Sequence, residues 1–528
     1  MATMAAAWVA GCGDAPRRLP PGDLLGAAHI AGHRLRGRGF PEPGAVRRVP
    51  VVIIGGGVAG LAAAWRLRKS GLDDVRVLEL EGAPGGNARY GTNAVSRHPW
   101  GAHYVSLLTR EAVQARELLA DLGAIVGNPR SARPRYEERY LCHDPQERLY
   151  RDGQWQDGLL PEIGATAEDR RQYRRFFDVM EAYKARRHRN GRKAFAIPVA
   201  ESAPDAELMA LDRMTMREFL LRNGLDSPPL HWYVNYACRD DFGTDYAQAS
   251  AWAGVHYYAS HDAEAENAES GSVLTWPEGN GWVVRQLEAR LGAQIATHAV
   301  VFRISNDKHG ATVDYFRPDE GGSVRIHAKQ VIYAAPAFLV PHLLEGAPGN
   351  LVSAARAFEY APWLVANLVL KSVPAEGAGA PLSWDNVIYG GAGLGYVVAT
   401  HQALRTAPGP TVLTYYLPLS DSQPAAARER LLATGRDEWA GRVLADLERP
   451  HPDLLGLTTR LDVYRWGHAM VRPVRGFIWG GARQAFAAPW GRVHFAHSDL
   501  SGMSLFEEAV YWGVRAAEAV LRTLKPKA

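Results

Sequence analysis

A strand, a tight turn and a helix start are written into Val51-Val52-Ile53-Ile54-Gly55-Gly56-Gly57-Val58-Ala59-Gly60. An apolar run enters the glycines, and an Ala-rich helical pattern follows from Val58 to Lys69. Gly55 permits the turn, Gly57 lets a pyrophosphate approach the backbone, and Gly60 lets the helix pack close to the strand. The helix N-terminus, with Ala59 in its first turn, offers free N–H groups and a positive dipole end to the phosphates. Val75–Leu80 reads as the second strand, and Glu79 on it is placed to bind a ribose hydroxyl. Together these residues predict a dinucleotide site.

The rest of the composition is ordinary. With 528 residues, 47% hydrophobic and 22% charged, the chain is long enough for two or more domains with large cores. A formal charge of +4 gives no argument for nucleic acid. Cys12, Cys142 and Cys238 are far apart, so neither a metal site nor a disulfide framework is indicated. No apolar run of about 18 residues occurs, which excludes a membrane-spanning helix. The small apolar start ending Val9-Ala10-Gly11-Cys12 resembles a bacterial lipobox, with residues 13–50 as a Pro-, Gly- and Arg-rich tether. That reading expects a membrane tether through Cys12 and a place in the cell envelope. The alternative is an N-terminal tail on a cytoplasmic enzyme.

Gly82-Ala83-Pro84-Gly85-Gly86-Asn87-Ala88-Arg89 follows the second strand. A Gly pair with a basic residue suits a loop passing close to a phosphate, so Gly85, Gly86, Asn87 and Arg89 are candidate cofactor contacts. Arg97-His98-Pro99-Trp100-Gly101-Ala102-His103-Tyr104 places two imidazoles, an indole and a phenol next to that loop. Helices are expected over 111–122 and 168–184. Residues 215–290 are rich in aromatics and read as a cap or substrate domain. Arg239-Asp240-Asp241 within them is either a buried ion pair or a polar anchor for substrate. A helix over 282–291 and strands near 299–304, 311–316 and 324–334 return the chain to the dinucleotide domain, with Val301 a candidate cofactor contact. Residues 340–470 revisit the other domain, with strands over 364–370, 394–399 and 411–417 and a helix over 425–448.

The ending settles which dinucleotide is expected. Gly491–Ala496 reads as a strand, His497-Ser498-Asp499-Leu500-Ser501-Gly502 as a polar turn, and Phe506–Glu518 as a helix with small residues on one side. An acid at such a turn can hold a ribityl hydroxyl. A helix N-terminus can face the pyrimidine of a flavin, whose reduced form is anionic. With Gly55–Gly60, Glu79, Gly85-Gly86 and the strand Val331–Pro336, this ending resembles the flavin-containing amine oxidoreductase superfamily. That superfamily includes monoamine and polyamine oxidases, protoporphyrinogen oxidase and phytoene desaturases.

The resemblance implies an α/β fold with a Rossmann-type FAD-binding domain, discontinuous in sequence, and an α+β substrate or cap domain. The corresponding segments are 1–49 as leader and linker, 50–110, 275–338 and 470–528 as FAD domain, and 111–274 and 339–469 as substrate domain. It further implies hydride loss to flavin N5 from a small organic substrate, with electrons passing to oxygen or another acceptor. The chain departs from the superfamily at three positions. Asn367 stands where amine oxidases often carry a lysine near N5, with Lys371 four residues out of register. Leu505 stands where a cage tyrosine precedes the last helix, and His497 replaces an Ala-Gly pair. No cysteine lies nearby, so FAD is expected to be noncovalent.

Because a flavin needs few protein groups to accept a hydride, the candidate catalytic residues are few. His103 leads as an acid or base beside the flavin loop, with His98 as a second imidazole. Asn367 would hold a water or a polar group of the substrate. His497, Asp499 and Leu505 are expected at the cofactor. Two alternatives to amine oxidation stay open: a lipid or carotenoid-type desaturase or isomerase, and an FAD-binding protein without its own turnover.

Overall fold

The computed structural model describes residues 18–37, 39–403, 407 and 409–524. Cys12 and the lipobox-like residues lie outside the described residues. No helix among the described residues is long and apolar enough to cross a membrane.

Two large sheets carry the chain. In the first, Pro43–Ile54 runs parallel to Val75–Leu78 on one side and to Gly322–Tyr333 on the other. Val493–Phe495 then joins the far side of Gly322–Tyr333, also in parallel. Val51 to Ile54 are buried, as expected for a strand covered on both faces by helices. The register is the important feature. Ile54 lies opposite Leu78 and Tyr333, and Tyr333 lies opposite Phe495. All four strands therefore end at one edge, where the glycine turn, Glu79, Ala334-Ala335 and the His497–Gly502 turn meet. In open parallel sheets this carboxyl edge is where ligands bind.

The second sheet has nine strands in the order 24–26, 458–471, 360–370, 411–418, 395–398, 385–388, 147–151, 154–157 and 378–379. Helices Pro424–Ala433 and Arg436–Leu447 bury Leu431, Trp439 and Val443 against one face of it. Helices Ala167–Ala185, Pro228–Phe242 and Ala251–Ser260 form a separate helical layer whose core is continuous with the dinucleotide sheet through Val52, Ile54 and Tyr333.

Three details differ from the sequence reading. The expected helix 425–448 is two helices, broken at Thr434-Gly435. The expected tether ends early: Leu24–Gly26 pairs with Val463–Arg465, and residues 43–49 lengthen the first strand. Finally, Val113–Asp121 packs with the dinucleotide domain, not the substrate domain, because Ala115, Leu118 and Leu119 are buried against the glycine-turn and closing helices. Trp65 Nε1 fixes that docking by donating to Asp121 at 3.0 Å.

The glycine-turn helix (Val58–Lys69) and the closing helix (Phe506–Leu524) cross in tight contact. A Cβ added at Gly513 would stand 2.2 Å from the Ala59 carbonyl oxygen. Gly513→Val should therefore destabilise the fold by about 1–3 kcal/mol, the usual cost of overpacking. It would be read as a lower denaturant midpoint, and an unchanged midpoint would contradict this packing.

Candidate active site

At the carboxyl edge of the first sheet, each glycine of the opening motif shows a distinct constraint. Gly55 has φ +100°, a conformation that favours glycine. A Cβ at Gly60 would lie 1.9 Å from the Gly55 carbonyl oxygen, so only glycine lets the helix sit this close. A Cβ at Gly57 would meet nothing nearer than the Gly86 Cα at 3.9 Å, which leaves this side of the turn open. Gly85 N–H donates to the Gly56 carbonyl at 2.8 Å, binding the second glycine loop to the first. Gly56 is itself required, since a Cβ there would press on the Glu79 carboxylate at 2.9 Å.

Glu79 is 7% exposed and accepts from Gly56 N–H at 2.7 Å and Glu81 N–H at 2.8 Å. Burial raises its pKa, against the pull of those two donors. Val301 lies on the strand that follows Ala299, whose N–H donates to the Glu79 carbonyl at 2.8 Å. Asp499 is buried to 1% exposure. Its Oδ2 accepts from Ala337 N–H at 2.9 Å and from the Tyr360 hydroxyl. Burial pushes its carboxyl up, but His497, Tyr360 and Ala337 N–H outweigh burial and hold it below its ordinary value. His497 Nδ1 accepts from Asp499 N–H at 3.1 Å and lies 3.1 Å from Asp499 Oδ1, which receives no other donor. A buried carboxylate oxygen left over beside a pair of facing glycine loops is the donor-seeking group a dinucleotide's sugar hydroxyls would satisfy.

A cavity of about 150 Å³ opens beyond this edge, between the two sheets. One wall is Asn87 with Gly101–Ser106, another is Ser504–Glu507 including Leu505, and a third is Trp363, Val365, Tyr416 and Trp466. The wall at 101–103 belongs to a segment held with unusual completeness. Asn367 Nδ2 donates to the Pro99 carbonyl at 3.0 Å, Trp466 Nε1 to Trp100 at 2.6 Å and the Tyr416 hydroxyl to Gly101 at 2.9 Å. Asn280 N–H donates to the Ala102 carbonyl at 3.0 Å and Thr275 Oγ1 to His103 at 2.9 Å. The Ala102 N–H in turn donates to the Asn87 carbonyl at 2.8 Å, tying the segment to the second glycine loop.

The candidate catalytic residues separate in this arrangement. His103 lines the cavity, its ring stacked on Tyr416 at 4.5 Å and 28°. Burial lowers its pKa to about 4, so it is neutral and a weak base near pH 7. His98 does not line the cavity. It contacts Trp100 edge-on and Asn93 at 3.3 Å, with its pKa also lowered to about 4 by burial. Asn367 does not line it either. Its amide is engaged with Pro99 and with Thr414 Oγ1, which donates to Asn367 Oδ1 at 2.6 Å. Lys371 lies in a separate surface groove with Asp453 and Leu457.

Asp240 and Asp241 answer the question their sequence left open. Arg239 donates to the Ala392 carbonyl at 2.6 Å, and both aspartates line the cavity instead of pairing with it. Glu507, in the first turn of the closing helix, joins them. Among the described residues no side chain donates to these three carboxylates, and no lysine or arginine lines the cavity. Burial raises Asp240 and Glu507 to about 7. Burial raises Asp241 well above the usual carboxylate range, and the neighbouring Asp240 and Glu507 raise it further. The sequence reading missed Glu507, Tyr416, Trp466, Asn280 and Gly56. Glu507 was legible as an acid beginning the closing helix, whereas the two aromatic walls come from strands whose facing the sequence did not show.

Comparison with known proteins agrees with this geometry. The model of the family described as flavin containing amine oxidoreductase matches residues 58–521. The oxidoreductase PigB of Serratia sp. (strain ATCC 39006) is 23% identical over 293 residues, which are 52% of this chain and 41% of that protein, so the chain spans about two-fifths of that relative's length. Among solved structures, a putrescine oxidase wild type bound to putrescine superposes with a TM-score of 0.66 at 18% identity, covering 90% of this chain and 100% of its own. Cyclohexylamine oxidase from Brevibacterium oxydans IH-35A gives 0.63 at 17%, covering 90% and 99%. A CLA-producing fatty acid isomerase from P. acnes gives 0.60 at 15%, with the same coverage.

This chain belongs to the flavin-containing amine oxidoreductase family, and its cofactor is FAD. The residues fit that cofactor on the structure's own terms: the open face of Gly57, the buried Glu79 and the buried Oδ1 of Asp499, which only the His497 ring approaches. In that site Glu79 and Val301 would face the adenosine end, Gly55, Gly57, Ala59, Gly60, Gly85, Gly86 and Arg89 the pyrophosphate, and Asp499 with His497 the ribityl chain. Asn87 and Leu505, which line the cavity, would then face the ring end. Asp499→Asn should raise the FAD dissociation constant about 10- to 100-fold, since a hydrogen bond to a charged group contributes about 1.5–3 kcal/mol. Equal flavin retention by the variant and the wild type would remove Asp499 from the site.

Proposed function

We propose that the protein is an FAD-dependent oxidoreductase that oxidises a small cationic amine at the carbon beside its nitrogen. The observation that carries this reading is the set of three largely buried carboxylates, Asp240, Asp241 and Glu507, to which no side chain donates, in a cavity that no lysine or arginine lines. Buried charges persist when paired, and here the partner has to come from the ligand. The aromatic walls Trp363, Tyr416 and Trp466 add quadrupole faces that attract a cation. Two of the structural neighbours, the putrescine and cyclohexylamine oxidases, are named for amines, which supports the same class.

The chain's own residues have four tasks. The clamped segment Pro99–His103 fixes one wall of the cavity, and the closing helix fixes the opposite one. The carboxylates bind and orient the ammonium group. An ammonium must lose one proton before the carbon–hydrogen electron pair can leave as hydride. Asp240 and Glu507, with pKa values of about 7, are matched to take that proton near neutrality, whereas His103 at about 4 is not. His103 acts instead as a neutral wall stacked on Tyr416. When bound, the flavin supplies the two-electron acceptor. The substrate leaves as an iminium, having lost one hydride and one proton.

Anaerobic bleaching of the bound flavin by short amines, with no bleaching or isomerisation of unsaturated fatty acids, is the expected result. Bleaching by dithionite alone, or conversion of the lipid, would overturn the proposal. Asp240→Asn should lower kcat/KM for the amine about 10- to 100-fold at pH 8, the loss of about 1.5–3 kcal/mol from a charge-assisted hydrogen bond.

The pH dependence has a definite sign. Below about pH 7 Asp240 and Glu507 are protonated, so kcat/KM should rise with pH through about 7. It should fall again near pH 10, where an alkylammonium loses its proton. The same carboxyls have folded pKa values raised above their unfolded ones. Their contribution to stability is fully present below the unfolded carboxyl pKa and is lost as pH rises through about 7. An amine should therefore raise the melting temperature more at pH 8 than at pH 5. An equal shift at both would contradict a charge-based site.

A further inference from the structure

Residues 18–42 lie ahead of the family match, which begins at residue 58. The described residues 18–37 and 39–42 make contacts with both sheets at the cofactor edge. At the substrate sheet, Leu24–Gly26 pairs in parallel with Val463–Arg465, and Asp23 N–H donates to Asp462 Oδ1 at 2.8 Å. At the dinucleotide sheet, Phe40 stacks on Phe302 with ring centres 4.5 Å apart and planes within 6°. The Arg34 guanidinium covers Phe40 at 4.9 Å and Phe316 at 4.4 Å. Phe302 is the residue after Val301.

Between these anchors, Ala28 N–H donates to Glu81 Oε1 at 2.7 Å. Glu81 stands between two cofactor contacts. Its own N–H donates to Glu79 Oε1 at 2.8 Å, and its Oε2 pairs with Arg89 at 3.1 Å. An acid beside a phosphate-binding arginine would repel the phosphate unless its charge were engaged. Here the Ala28 N–H and Arg89 engage both oxygens.

We propose that residues 24–37 with 39–40 form a strap that closes the adenosine end of the FAD site and sets how long FAD stays bound. The strap is one hydrogen bond from Glu81, which is one hydrogen bond from Glu79, and its aromatic anchor abuts the strand of Val301. FAD leaving at this end would have to pass the strap or part it from Glu81.

The test is the rate at which FAD appears in the filtrate after the FAD-loaded protein is diluted. Ala28 has φ −68°, which proline adopts, so Ala28→Pro removes the donor to Glu81 while keeping its φ. Phe40→Ala removes the second anchor. Each variant should release FAD about tenfold faster or more, the factor expected for one hydrogen bond to a charged acceptor. Release at the wild-type rate by both variants overturns the proposal. If neither variant folds, amide exchange of the wild-type chain decides. Amides of residues 24–40 should exchange about tenfold or more slower with FAD bound than after FAD is stripped, and equal exchange overturns the proposal.

Discussion

Five consecutive backbone carbonyls, from Pro99 to His103, each accept a hydrogen bond from a different part of the chain. A buried carbonyl left without a donor costs about 1–3 kcal/mol, so this segment has one conformation only when every donor is in place. The donors come from three strands of the substrate sheet and from two elements of the dinucleotide domain. Neither domain could set the segment alone. The cavity wall beside the cofactor loop is thus a property of the interface between the two sheets. Pro99–His103 can stay rigid while Trp363, Val365 and Leu505 behind and beside it are free to determine the shape of the site.

Against that rigid wall stand three carboxylates that the fold leaves unpaired. Two other buried charges are held differently. Asp314 is held between Arg303 and Arg325, and Arg148 sits among Asn386, Tyr396 and the Ala380 carbonyl. Asp240, Asp241 and Glu507 have no such partners. Burial drives them toward the neutral form, so they are reservoirs of protons that a cationic ligand would displace. In the proposed reaction the same groups would serve for binding, for charge selection and for taking a proton from the substrate. This explains how an amine site can be assembled without the lysine that the resemblance led one to expect at Asn367.

The parts of this account that follow a local rule were legible in the sequence. The glycine turn, the acid ending the second strand and the polar turn before the last helix each have a fixed spacing, and parallel pairing at Tyr333 and Phe495 brings them to one edge. The parts that depend on which way a side chain faces were not legible. Asn367 shares a strand, and by its spacing a face, with Trp363 and Val365, yet Pro99 covers it and only the other two reach the cavity. His98 and His103 are five residues apart and equally plausible as sequence, but only His103 lies beyond the turn at Gly101 that points it inward. Asp240 and Asp241 were read as either ion pair or anchor, and the choice was fixed by Arg239 reaching the Ala392 carbonyl across the fold. The early strand at Leu24–Gly26 was hidden because its partner lies more than 400 residues away.

Proton release on ligand binding tests the cationic site most directly. An amine without hydrogen on the carbon beside its nitrogen binds without being oxidised, and calorimetry in buffers of different ionisation enthalpy counts the protons exchanged. At pH 6.5 Asp240 and Glu507 are largely protonated, with pKa values of about 7. The account predicts release of about half a proton or more per amine bound, falling toward zero by pH 9. Binding with no proton release at pH 6.5, or with proton uptake, would contradict it.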